Sequence, residues 1–139
     1  HVLRTEPVLI DEYVRTGKAR LEFIHILDHA NASVQASAAA ECAGQQGAFW
    51  RMHDALFANQ NQLWGGEAEV LAGLAGKIGL DTADFRQCLD DGEAQERVRT
   101  IDKQAKAAGI RVRPTFDVNG QLIQGSPPIA QWRQLLDAQ

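Results

Sequence analysis

At 139 residues, with 45% hydrophobic and 23% charged residues, the chain has ordinary globular usage and the length for one domain with a sizeable core. A formal net charge of −4, with no run of aromatics interleaved with Lys or Arg, excludes a nucleic-acid groove. No run approaches about 20 apolar residues, and neither Cys42 nor Cys88 has a second ligand two to four positions away, which excludes a membrane span and a zinc site.

Val8, Leu9, Ile10, Tyr13 and Val14 recur at helical spacing with Gly17 after them, predicting a helix that ends near Thr16. Its start is open: Thr5 ahead of Pro7 reads as an N-cap with proline in the first turn. Arg20 to Leu27, with Leu21, Phe23, Ile24 and Ile26, predicts a strand. Within it Glu22 reads as a buried proton relay or, by alternation, as a solvent-facing residue. His25 and His29 have the spacing of a helical metal-ligand pair, yet lie in a strand-like run and a turn; surface or polar-network positions are the expectation.

Ser33 predicts the cap of an Ala-rich helix through Gln45, and Gly47 separates it from a second helix over 49–57. There His53 is expected to cap or pack, and Trp50, Trp64 and Trp132 read as core or rim aromatics. Val70, Leu71, Leu74 and Ile78 form one stripe of a helix over 67–78 stopped by Gly79. Asp81 caps a short helix bearing Cys88, and 93–108 continues helical. Asn119-Gly120 predicts a type I′ hairpin pairing Val118 with Gln121 and Phe116 with Ile123, because both turn residues need positive φ. A helix over 128–137 closes the chain. The order predicts an α/β layer with a helical insertion at about 33–108. Cys42 and Cys88 each lie on an apolar helical face and read as buried free thiols or as partners in a bridge.

Pro114, followed by Thr115-Phe116 and Asn119-Gly120, resembles the cis-proline loop of the thioredoxin superfamily. With Tyr13 to Arg20, Ala40 to Trp50, His53 to Phe57 and Phe85 to Gly92, nearly the whole chain is similar to the DsbA-like thiol:disulfide oxidoreductases. The resemblance implies a thioredoxin fold over 1–139, α/β with an inserted helical subdomain, and the first strand absent from these residues. It implies a Cys-x-x-Cys upstream of His1, consistent with a sequence that opens without an initiator Met or a signal peptide. Residues 1–139 alone then hold no redox pair.

In that reading a cis Arg113-Pro114 bond presents backbone to an extended substrate, making Arg113, Pro114 and Thr115 the substrate-binding residues. Thr or Val is usual at the Arg113 position, and the guanidinium either lowers the nucleophile's pKa or points away. Some DsbA-like proteins have cysteines at both Cys42 and Cys88, which implies a structural disulfide. The resemblance further implies periplasmic or other extracytoplasmic protein thiols as substrates, a membrane quinone-linked oxidase as redox partner and no cofactor. Two unpaired sheet edges imply a strand-swapped dimer as one outcome. The alternatives are a redox-inactive thioredoxin-like chaperone or interaction module, and a kappa-type glutathione-dependent isomerase or transferase.

Overall fold

Pro7 stands in the first turn of the opening helix, where its missing N–H leaves no helical bond unmade. This helix, α1, runs Glu6–Leu9 and continues as a π-helical turn over Ile10–Val14. The chain leaves it through Gly17 at φ +76°, with Lys18 N and Ala19 N both donating to Tyr13 O at 2.9 and 3.0 Å. The structure, a computed structural model, describes residues 1–138.

The segment 20–27 does not form the expected strand. Strand formers make a strand only when a ladder partner accepts and donates their backbone bonds, and no described segment pairs with this one. Side chains hold its end instead. Asp102 Oδ1 accepts from Leu27 N at 2.8 Å, and Lys106 Nζ donates to Leu27 O at 2.9 Å.

A helical series follows: α2 Ala30–Gln45, α3 Phe49–Ala58, a short 3-10 turn at Gln60–Gln62, α4 Ala68–Lys77, α5 Thr82–Asp91 and α6 Glu93–Ala107. Ser33 is not the N-cap of α2. The helix starts four residues earlier than expected, with His29 in the cap position, and Ser33 Oγ reaches back one turn to accept from His29 N at 2.9 Å. Asp81 is the cap of α5, its Oδ1 accepting from Ala83 N and Asp84 N at 2.9 and 3.0 Å. Ala38, Ala39, Ala40 and Ala43 are buried on α2. Without bulk at those positions, α3 and α6 pack closely against it.

After Gly109, strands β1 Thr115–Val118 and β2 Gln121–Gln124 form an antiparallel hairpin, followed by α7 Ile129–Asp137. The register pairs Val118 with Gln121 and Phe116 with Ile123, and Asn119 and Gly120 take φ of 50° and 89°. The turn needs those positive angles.

The molecule is mixed α/β and divides into two compact units. Residues 24–107 enclose the larger apolar cluster, centred on Phe85, Met52, Leu71 and Cys42. Residues 1–23 together with the chain from 108 onward form the other, in which Tyr13 and Trp132 are buried. There Tyr13 OH donates to Asp137 Oδ1 at 2.9 Å, and Arg133 grips Glu12 through Nε and Nη2 at 2.8 and 2.5 Å.

Candidate functional site

The segment from Gly109 to Pro114 runs from α6 to β1 outside any helix or ladder. Gly109 sits at φ +92°, where a side chain would be strained, and so redirects the chain out of the helix. Arg111, Val112, Arg113 and Pro114 are exposed, Val112 by 42% despite being apolar. The Arg113–Pro114 peptide bond is cis.

Two bonds fix the loop's exit. Thr115 Oγ1 donates to Val112 O at 2.5 Å, and Gly125 N, just past the end of β2, donates to Pro114 O at 2.8 Å. At the far end Asp117 Oδ1 accepts from Gly120 N at 2.7 Å, so the turn is held by a side chain as well as by the ladder. Behind the loop, Phe116 packs edge-on to Trp132 at 4.7 Å and against His1 at 4.6 Å. Exposed Arg113 and Pro114 and half-buried Thr115, the first residue of β1, therefore follow one another at the entry to a supported hairpin. Residues 109–115 include no thiol, imidazole or carboxylate; they offer backbone, the apolar side chains of Ile110, Val112 and Pro114, the Thr115 hydroxyl and two guanidinium groups.

Cys42 and Cys88 are joined in a disulfide, with Cα atoms 5.8 Å apart. It ties the last turn of α2 to the last turn of α5 inside the 24–107 unit. The free-thiol reading is thereby excluded.

The remaining candidates resolve one by one. His25 is buried, with Nε2 2.9 Å from Glu41 Oε1, while exposed His29 lies edge-on to Trp64 at 5.1 Å. The two histidines thus face different partners. Glu22 is exposed and ion-paired to Arg20 at 2.6 Å, so the proton-relay reading is wrong and the solvent-facing one right. His53 packs in α3, its ring 4.9 Å from Phe57 and its Nδ1 3.0 Å from Asp54 Oδ1. Trp132 is core, Trp50 is on the rim, and Trp64 is largely solvent-facing.

The anchorage of residue 27 by Asp102 and Lys106 went unnoticed in the sequence, although the i, i+4 acid–base pair on α6 signalled it. Burial pushes the Asp102 carboxyl up, but the Leu27 N–H and the Lys106 ammonium outweigh it and the pKa is lowered. In the other unit, Arg133 holds the Glu12 carboxyl below its ordinary value, while burial and the Asp137 carboxylate raise the Tyr13 phenol.

A family model described as thioredoxin (Thioredoxin_4) matches residues 4–138. The Na(+)/H(+) antiporter NhaA 1 of Salinispora arenicola (strain CNS-205) is 41% identical over 91 residues, which are 66% of this chain and 14% of that protein. The Na(+)/H(+) antiporter NhaA of Herminiimonas arsenicoxydans is 37% identical over 102 residues, 73% of this chain and 16% of the antiporter. The probable disulfide bond formation protein D of Bacillus anthracis is 29% identical over 122 residues, 84% of this chain and 56% of that protein. The chain thus spans a small fraction of the antiporters and a little over half of the disulfide bond formation protein. No solved structure matches. Among the described residues, no helix is long and apolar enough to cross a membrane.

Proposed function

The chain belongs to the thioredoxin family, with the mixed α/β thioredoxin fold, and on that premise we propose that it is the substrate-binding portion of a DsbA-like thiol:disulfide oxidoreductase. One observation carries the reading: the exposed, non-helical Arg111–Pro114 backbone leads into a hairpin strand braced from behind by Phe116 and Trp132. An extended peptide docks on such backbone by adding its own donors and acceptors, with specificity left to side chains. Arg113 and Pro114 form the docking edge in this reading, and Thr115, tied to Val112 O, keeps it in place.

The redox pair of the proposed enzyme is not Cys42–Cys88. Thiol exchange in this fold needs a cysteine at a helix N-terminus, where N–H groups and the helix dipole stabilise thiolate, and both of these cysteines stand in final helical turns. The reading places a Cys-x-x-Cys on residues preceding His1, extracytoplasmic protein thiols as substrates, and a quinone-linked oxidase as the partner that restores the disulfide. Resemblance to disulfide bond formation protein D, across most of this chain, supports it.

Titration with an extended cysteine-containing peptide, followed through backbone amide resonances, tests the docking edge. The largest shifts are expected at 111–116; shifts confined to other residues would refute it. Catalysis of disulfide formation in a reduced protein substrate by the full-length protein tests the chemistry.

A second reading has its own observation. The antiporter relatives are the more identical ones, and the match occupies only a domain-sized share of them. In that reading these residues are an accessory domain attached to a sodium–proton antiporter. The mass of the intact protein and its partition into membranes separate the two readings.

A further inference from the structure

The Cys42–Cys88 disulfide floors a pocket of about 290 Å³, whose other walls are Gln45, Gln46, Asp84, Gln87 and Asp91. No Lys, Arg or His among the described residues lines it. Cys88 is 7% exposed and Cys42 1%, and both line the pocket, which is the approach to the disulfide. Two carboxylates line that approach.

Cys42 lies three residues before the end of α2 and Cys88 three before the end of α5, so both cysteines stand in final helical turns.

From this arrangement the geometry points to a charge-gated disulfide: Cys42–Cys88 is shielded from anionic thiolates and opened preferentially by thiols that carry a compensating positive charge. The inference rests on the pocket alone and does not require the function proposed above. Opening begins when a thiolate forms a bond to Cys88 Sγ, Cys88 being the more exposed of the two residues. The Cys42–Cys88 bond breaks, and its electron pair leaves on Cys42 Sγ. A second thiolate then attacks the mixed disulfide on the reagent's sulfur, releasing Cys88 as thiolate and the reagent as its own disulfide. Both protein thiolates take protons from water. Two thiols are oxidised as one disulfide is reduced.

The attacking anion approaches through a pocket lined by Asp84 and Asp91, and the departing Cys42 thiolate forms in the last turn of α2. The first barrier depends on the reagent's charge, whereas the second is common to all reagents. A comparison across reagents therefore isolates the gate.

The test reduces the folded protein at low ionic strength with cysteamine, 2-mercaptoethanol and 2-mercaptoethanesulfonate, whose thiolate forms carry net charges of zero, minus one and minus two. Rates per thiolate are read by alkylation and mass spectrometry of the Cys42 and Cys88 peptides, and referred to a small uncharged disulfide. The cysteamine-to-sulfonate ratio is expected to exceed the reference ratio by roughly five- to tenfold or more, from two carboxylates acting across a screened aqueous pocket. Asp84→Asn combined with Asp91→Asn is expected to bring the ratio close to the reference, as is high salt on the unaltered protein.

A ratio equal to the reference in the unaltered protein overturns the proposal, and so does one that neither salt nor the double substitution changes. Rates identical for all three thiols, which would mean that opening requires unfolding first, overturn it as well. The salt series decides even where the double variant does not fold.

Discussion

Asp102 shows how a single carboxylate can stand in for missing secondary structure. It accepts from Leu27 N while Lys106 Nζ bridges its Oδ2 at 2.8 Å and Leu27 O, so one acid–base pair satisfies the end of a segment that no strand supports. Its pKa is lower folded than unfolded, so its contribution is complete above the ordinary carboxylate range and disappears as pH falls through the lowered value. Asp102→Asn is expected to destabilise by about 1 kcal/mol at neutral pH. Denaturant midpoints of the two proteins should converge on acidification; a gap that stays constant with pH would show that charge plays no part. Asp81 works at the same scale. It caps α5 and exchanges two further bonds with Gln46, its N–H donating to Gln46 Oε1 at 2.9 Å and its C=O accepting from Gln46 Nε2 at 3.0 Å. Asp81→Ala removes only the cap, for an expected loss of about 1 kcal/mol by chemical denaturation.

Between elements, the strongest single link is the staple between α2 and α5. It closes a loop of 46 residues, which on the loop-entropy model is worth about 4 kcal/mol. Replacing both cysteines with alanine should lower the unfolding free energy by an amount of that order with the helical content retained; circular dichroism through a urea series measures both. The elements that the sequence announces are those whose signals are local: Asn119-Gly120 dictates its own turn, and Asp81 bonds to N–H groups two and three residues away. Elements that depend on remote partners are the ones misread. Residues 20–27 are rich in strand formers, but a ladder needs a second strand, and the start of α2 depends on where Ser33 points rather than on its presence. The π-helical turn over Ile10–Val14 has no signal in composition at all. At the candidate site the loop around Pro114 was legible because proline, threonine and the Asn-Gly turn lie within a few residues of one another. The charges around Cys42–Cys88 were not, since that pocket forms only when two helices separated in sequence end side by side.

On the scale of the whole molecule, burial is uneven. Most of the buried apolar residues belong to 24–107, whereas the other unit carries few, Tyr13 and Trp132 being the largest. Hydrogen exchange should follow that division: amides of α2, α5 and α6 are expected to exchange slowest and those of the hairpin markedly faster, because a two-stranded sheet is marginal by itself. Equal protection in both regions, measured by mass spectrometry of peptic fragments, would contradict this. The division also has a direction in time. Residues 24–107 are one uninterrupted stretch, while the second unit is assembled from two stretches on either side of it. A ribosome or a secretion pore delivers the chain from its first residue onward. The inner unit, with both cysteines, has therefore emerged in full before β1, β2 and α7 exist, and its staple can close while the opening helix still awaits the elements that will complete its own unit.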